Sequence, residues 1–256
     1  MSDSSALALP PPPAVLPDSA SLFLDFDGTL VDFAAHPDEV VLPIRVRDDV
    51  ARIGLKLGGA LAIVSGRRIE DIDRFFAPLI LPVAGVHGLF RRDSGGVLHS
   101  ADFDAKALEN LAGRLRGFTA TEPGLLLERK PGSVAVHYRL RPELAAVCAE
   151  ALVAAVGETG ASGLFHVMHG KMVVEARASD MTKASAIAAF MREAPFAGRV
   201  PVFAGDDVTD EDGFREVETL GGVTIKVGTG TTLARYRVGS IGEFRDWLHH
   251  LAEQAA

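Results

Sequence analysis

Four short groups of residues could do chemistry together in this chain. The first is Leu22-Phe23-Leu24-Asp25-Phe26-Asp27-Gly28-Thr29-Leu30, an apolar run ending in two carboxylates, a glycine and a hydroxyl. In an extended backbone, a spacing of two lets Asp25 and Asp27 point toward one locus, and Gly28 lets the chain turn close to a ligand. The second is Ser65-Gly66-Arg67, which follows another apolar run and offers a hydroxyl, backbone N–H groups and a guanidinium. The third is Lys183, opening a helical pattern behind Asp180 and Thr182, and the fourth is Gly205-Asp206-Asp207, from which acids continue to Asp210, Glu211 and Asp212. Carboxylates, a hydroxyl and a lysine at successive strand ends are the parts of a magnesium-dependent phosphoryl-transfer site. Mg²⁺ takes oxygen ligands, and lysine neutralises phosphate charge.

Each group alone has a plainer reading. Asp-Gly and Ser-Gly are common turn and loop pairs. Asp180 or Thr182 can cap the following helix, and a single lysine is ordinarily solvated. The run from Asp206 to Asp212 suits a helix start, where the macrodipole favours acids. A calcium loop is excluded: with Gly213 as its sixth residue, Val208 and Thr219 would fall at its first and last ligand positions. Gly228-Thr229-Gly230 lacks the third glycine of a dinucleotide loop. The order of the groups and their shared place at strand ends join them into one site.

The elements that must position them alternate. Strands are expected at Leu22 to Phe26, Ala60 to Val64, Val200 to Ala204 and Val223 to Val227. Helices are expected at Ile44 to Leu57, Arg68 to Phe76, Thr182 to Arg192 and after Asp210. Such alternation predicts a parallel sheet with crossover helices, and ligands of open α/β sheets sit beyond the carboxyl ends of the strands. Between them the pattern changes. Short strands are expected at Val97-Leu98-His99, Leu125 to Glu128, Val134 to Tyr138, Phe165 to His169 and Met172 to Glu175, with a tight turn at His169-Gly170-Lys171. Only two helical stretches, Asp104 to Phe118 and Pro142 to Glu158, lie among them. The stretch from Arg67 to Lys183 is about three times that from Asp27 to Ser65, far more than a crossover requires. The reading is an α/β core over residues 21–102 and 177–256, an inserted α+β domain over 103–176, and a flexible Pro-rich tail over 1–20.

Composition limits the partners. With 48% hydrophobic and 23% charged residues the chain is ordinary globular material. Its 26 Lys plus Arg against 34 Asp plus Glu give a net charge of −8, which argues against nonspecific nucleic-acid binding. Cys148 is the single cysteine and fits a reducing cytosol. The acidic start Met1-Ser2-Asp3-Ser4-Ser5 argues against a secretory signal. Leu144 to Val156, broken by Glu150, is too short to span a bilayer. A cytoplasmic monomer without membrane partners is expected.

Asp25-Phe26-Asp27-Gly28-Thr29, Ser65-Gly66-Arg67, Lys183 and Gly205-Asp206-Asp207 resemble the four ordered motifs of the haloacid dehalogenase (HAD) superfamily. More narrowly, Gly205-Asp206-Asp207-Val208-Thr209-Asp210-Glu211-Asp212 resembles the form of the last motif in trehalose-6-phosphate phosphatases. The resemblance extends to Gly85-Val86-His87-Gly88, Glu128-Arg129-Lys130, Val136-His137-Tyr138-Arg139 and Gly170-Lys171-Met172-Val173-Val174-Glu175. Ala184 departs from it, since the family usually has glycine after the motif lysine.

The resemblance implies a Rossmann-like core whose insertion is an α+β cap of the second type, able to close over the site and exclude water. It implies that Asp25 attacks phosphorus to form an aspartyl-phosphate, and that Asp27 serves as acid and then base. ATPases of the superfamily carry a non-acid at the position of Asp27, so this residue favours hydrolysis. Mg²⁺ is expected on Asp25, the backbone carbonyl of Asp27 and Asp206, with Asp207 or Asp210 completing or supporting the shell. Thr29, Ser65, Gly66 and Lys183 are expected on phosphoryl oxygens, Glu128, Lys130 and Glu175 on sugar hydroxyls, and Arg67 and His87 near the cleft. The substrate implied is trehalose 6-phosphate. A related phosphatase acting on sucrose phosphate or a mannosyl-phosphoglycerate-type substrate, and a non-enzymatic receiver-like phosphoacceptor, stay open.

Overall fold

Residues 9–33, 39–160, 162–170, 172–178 and 181–254 are described by the computed structural model. The chain enters strand β1 (Ala20–Leu24), then α1 (Ile44–Lys56), β2 (Leu61–Val64), α2 (Ile69–Phe76) and the short strands β3 (Val83–Gly85), β4 (Phe90–Arg92) and β5 (Leu98–Ser100). A second set follows: α3 (Ala105–Thr121), β6 (Leu126–Lys130), β7 (Ser133–His137), α4 (Ala145–Glu158), β8 (His166–Gly170) and β9 (Val173–Arg177). The first set resumes with α5 (Lys183–Phe190), β10 (Val200–Gly205), α6 (Asp210–Thr219), β11 (Val223–Val227), β12 (Tyr236–Val238) and α7 (Ile241–Glu253). Ser100–Asp180 forms one compact unit, and the residues on either side form the other.

The larger unit is built on an eight-stranded sheet of order β12-β11-β10-β1-β2-β3-β4-β5. From β12 to β3 the neighbours run parallel, and β4 turns antiparallel to β3. Strand β1 is buried along its whole length, as its apolar sequence requires of a parallel strand covered on both faces. Phe23 packs on Phe190 and Phe196 with ring centroids 5.9 and 5.4 Å away. The register sets Leu24 beside Ala204 on one side and Ile63 on the other. The sequences just past β1, β2 and β10 therefore meet at one end of the sheet.

In the smaller unit the antiparallel order is β6-β7-β9-β8. Period-two alternation sends Val134, Val136, Val174 and Ala176 to one face, where they pack with Leu111 of α3 and Leu152 of α4. The opposite face carries the polar residues Glu128, Ser133, His137 and Glu175, as the register of the three strands dictates.

Two expectations need correction, and several elements were not foreseen. Residues 9–19 are not a free tail. The Pro10 carbonyl accepts from Arg237 N at 3.0 Å on the edge strand β12, Trp247 Nε1 donates to Pro13 O at 2.8 Å, and Gln254 Nε2 donates to Ala14 O at 3.1 Å. Pro12 and Leu16 are buried. An extended proline-rich backbone makes no hydrogen bonds within itself, so its carbonyls remain free to accept from donors distant in sequence. Second, β1 spans Ala20–Leu24 rather than Leu22 to Phe26, because the chain turns at once after Asp25: Leu30 N donates to Phe26 O and Gly28 N to Val31 O. Strands β3, β4 and β12 and helix α7 were not anticipated. The predicted turn residue Lys171 lies outside the described residues. No helix among the described residues is long and apolar enough to cross a membrane.

Candidate active site

Asp25 follows β1 directly, its N–H donating to Ala204 O at 3.0 Å. Its residue exposure is 4%, and its two oxygens have separate partners: Lys183 Nζ donates to Oδ1 at 2.6 Å and Thr29 Oγ1 to Oδ2 at 3.3 Å. Lys183 is equally buried and also donates to Asp210 Oδ1 at 2.6 Å. Its place at the first turn of α5 is set by a capping box. Thr182 Oγ1 accepts from Ser185 N, and Ser185 Oγ accepts from Thr182 N at 2.9 Å. Thr182 is thus the cap of α5; Asp180, the other candidate, lies outside the described residues.

Asp210 is fully buried at the start of α6, and its Oδ2 accepts from Asp206 N at 3.0 Å and Asp207 N at 2.8 Å. One carboxylate therefore shapes the loop after β10 and also faces the lysine. Lys226 Nζ donates to the Asp206 backbone carbonyl from the neighbouring strand β11. Gly28 has φ +85°, and a Cβ there would lie 2.2 Å from Asp206 Oδ2, so glycine permits both the turn and the approach of the third acid.

Asp25, Asp206 and Asp210 each present a carboxylate oxygen, all within 4.8 Å of one another. Burial pushes Asp25 well above the ordinary carboxylate range, with Lys183 pulling against it and Asp210 and Asp206 adding to it. Burial, then the charge of Asp210, pushes Asp206 up to about 7. Burial pulls Lys183 down, but the charges of Asp210 and Asp25 outweigh it and hold the ammonium above its usual value. Lys183 bonds two of the three carboxylates, Lys226 reaches only the backbone carbonyl of the third residue, and Asp206 Oδ1 is buried with no hydrogen-bond partner. An oxygen-only donor set with surplus negative charge fits a hard divalent cation such as Mg²⁺.

Of the acids expected around the metal, Asp207 is not among the three that come together. It is exposed and its carboxylate is outside the cluster, because the helix turn that begins at Asp210 carries the latter inward instead. The Asp27 side chain is also elsewhere. Arg67 Nε donates to its Oδ2 and Nη2 to its Oδ1, both at 2.7 Å, with the guanidinium over the rings of Phe26 and Phe75 at 5.4 and 5.1 Å. Ser65 is buried, its Oγ accepting from Arg67 N at 3.1 Å. His87 N donates to Ser65 O at 2.9 Å, and Val86 and His87 both take left-handed backbone angles, φ 50° and 56°. Such strain for a β-branched valine clusters at functional sites. A Cβ on Gly66 would meet His87 Nε2 at 2.6 Å, so Gly66 makes room for this ring.

The remaining expected residues lie in the smaller unit. His137 Nε2 meets Glu128 Oε2 at 2.8 Å, and Lys130 Nζ is 3.3 Å from the same oxygen. Partial burial pushes Glu128 up, but the His137 hydrogen bond and the Lys130 charge outweigh it and hold the carboxyl down at about 2. Glu175 Oε1 accepts from Ser133 Oγ at 2.6 Å and Oε2 from Arg177 Nε at 3.2 Å. Sequence reasoning missed Lys226, Phe75, Ser133 and Arg177. Only the alternation of β7 and β9 could have flagged the last two.

A parallel sheet with acids, a hydroxyl and a lysine gathered at adjacent strand ends is an α/β fold of the HAD type. That fold is shared with a solved Bacteroides thetaiotaomicron HAD phosphatase, TM-score 0.58 at 11% identity over 96% of both chains. The chain belongs to the trehalose-phosphatase family, whose family model matches residues 23–240. A probable trehalose-phosphate phosphatase of Sinorhizobium fredii is 43% identical over 211 residues, covering 82% of this chain and 78% of the relative. The trehalose-6-phosphate phosphatase of Escherichia coli is 39% identical over 227 residues, covering 88% and 84%. Among solved structures, the C-terminal domain of C. albicans trehalose-6-phosphate phosphatase superposes with a TM-score of 0.80 at 22% identity, over 91% of this chain and 92% of that one.

Proposed function

We propose that this chain is a cytoplasmic, monomeric, Mg²⁺-dependent phosphatase that hydrolyses trehalose 6-phosphate to trehalose and phosphate through an aspartyl-phosphate. One observation carries the reading: Lys183 bridges Asp25 and Asp210 beside an unpartnered Asp206 oxygen, in a chain of the trehalose-phosphatase family. Asp25 attacks phosphorus, and the bond from phosphorus to the sugar oxygen breaks. Asp27 protonates that oxygen, then takes a proton from the water that attacks phosphorus of the aspartyl-phosphate, breaking the bond to Asp25 and releasing phosphate and the free carboxylate. For this the Arg67–Asp27 pair must open, so that one Asp27 oxygen faces the leaving group. Lys183, Thr29, Ser65 and the Gly66 backbone bind phosphoryl oxygens. Asp25, Asp206 and Asp210, with the Asp27 backbone carbonyl, would hold Mg²⁺, which when bound offsets carboxylate charge and draws charge from the phosphoryl group.

Residues 100–180 would supply selectivity as the cap, with Glu128, Lys130 and Glu175 on sugar hydroxyls. Carboxylates accept and lysine donates several hydrogen bonds, which suits a polyhydroxylated ligand. Arg67 and His87 would face the substrate from the core. The net charge of −8 excludes nonspecific nucleic acid as partner but not an anionic sugar, because the local charge is set by Lys183, a bound cation and backbone N–H groups. The test is phosphate release from a panel of sugar phosphates with and without Mg²⁺. Trehalose 6-phosphate should be preferred over sucrose 6-phosphate and glucose 6-phosphate, and only with Mg²⁺. Preference for sucrose 6-phosphate would reassign the substrate, and no turnover on any ester would favour a phosphoacceptor.

A further inference from the structure

The polar face of the smaller unit's sheet has an order that the substrate contacts alone do not require. Across three strands, Glu128, Ala135 and Glu175 form one row, the two acids flanking the alanine. Neighbouring strands lie about 4.8 Å apart, so the two acid-bearing backbones stand roughly 10 Å from each other. On the middle strand, Ser133 and His137 sit two residues to either side of Ala135 and share its face. Each reaches diagonally to one acid and not to the other: His137 to Glu128 at 2.8 Å, Ser133 to Glu175 at 2.6 Å. Ser133 is 1% exposed, and Glu175 is its hydroxyl's hydrogen-bond partner. Its position in the strand has no need of a hydroxyl unless that bond matters.

We propose that Ser133 and His137 are positioning residues for sugar selectivity, fixing Glu175 and Glu128 as two acceptors at a set separation. The inference rests on the reading that these two acids bind sugar hydroxyls. A glutamate free to rotate must be ordered when a ligand arrives, whereas one already held by a charge-assisted bond presents its remaining lone pairs without that loss. Glu128 Oε2 takes both His137 and Lys130. Its Oε1 is left for a ligand. Each Glu175 oxygen accepts one protein donor and keeps capacity for another. Ala135, between the acids, places only a methyl group in the space separating them.

The experiment compares kcat/KM for trehalose 6-phosphate with that for p-nitrophenyl phosphate, which has no sugar. Ser133→Ala and His137→Ala should each lower the ratio of the two about tenfold, mainly through KM for the disaccharide. His137→Gln, which keeps an N–H donor, should restore most of it, as a merely structural defect would not allow. In a double-mutant cycle, Ser133→Ala added to Glu175→Ala should cost nothing further, because the hydroxyl acts only through that acid. If Glu128→Ala and Glu175→Ala lower the ratio while Ser133→Ala and His137→Ala leave it unchanged, positioning is overturned and sugar binding by the acids stands. If the two glutamate variants themselves leave the ratio unchanged, the underlying reading falls and this proposal with it.

Discussion

The acids of the two units live under opposite electrostatic regimes. In the larger unit Asp25, Asp206 and Asp210 are crowded together and largely desolvated, with Lys183 bonded to two of the carboxylates and Lys226 bonded only to the backbone carbonyl of the third. In the smaller unit Glu128 and Glu175 are partly exposed, and each has its own hydrogen-bond donors. The outcome is a carboxyl pushed up to about 7 at Asp206 and one held down at about 2 at Glu128. Burial acts the same way on both, so the supply of counter-charge decides the difference. An under-neutralised cluster has an unmet demand for cations and suits phosphoryl chemistry on Mg²⁺. A fully neutralised pair has no such demand and suits the reading of neutral hydroxyls.

The contrast can be broken most sharply at Asp25. Asp25→Asn keeps the shape and removes the nucleophile, so hydrolysis of trehalose 6-phosphate should fall by about four orders of magnitude or more while circular dichroism is unchanged. Near-normal turnover by a folded variant would refute the assignment. Lys183→Met should act on stability as well. It leaves buried carboxylates without their counter-charge, at a cost of about 3–5 kcal/mol in chemical denaturation, and abolishes activity. A variant as stable as the parent would mean that Lys183 is not the balancing charge.

The pH dependence tests the same point without mutation. Asp206 has a folded-state pKa of about 7 against an ordinary 3.8, so the metal-free folded chain holds more protons than the unfolded one between those values. Its contribution to stability is present below about pH 4 and is lost as the pH rises through about 7. Mg²⁺ should therefore raise Tm by several degrees above pH 7 and much less at pH 5, where it competes with the proton. Equal Tm shifts at both values would deny the surplus charge. The smallest effect is expected in the other unit. Glu128→Ala should raise KM for trehalose 6-phosphate about tenfold, and by a far smaller factor for a small aryl phosphate. Equal factors for both substrates would remove Glu128 from selectivity.

Legibility of the fold in the sequence followed burial. Fully buried parallel strands read as apolar runs, and the polar residues that end them stand out, so Asp25, Ser65, Lys183 and Asp206 were visible in their correct order. That the Asp210 carboxylate, and not that of Asp207, lies beside Asp25 and Asp206 was not visible, because it depends on where α6 starts and which of two acids that turn carries inward. Strands β3 and β4 have three residues each, too few for periodicity to show. The course of residues 9–19 was hidden for another reason: their partners Arg237, Trp247 and Gln254 lie near the other end of the chain. In the smaller unit the acids were legible by resemblance, whereas Ser133 and Arg177 come into view only with the strand register.

The central claim is that the under-neutralised cluster places Asp25 to take the phosphoryl group from trehalose 6-phosphate. Rapid acid quenching during turnover, followed by peptide mapping, tests it directly. A phosphoryl group is expected on the peptide carrying Asp25, formed only with Mg²⁺ and absent from Asp25→Asn. A phosphoryl group on another residue, or rapid turnover with no phosphorylated peptide at any quench time, would contradict it.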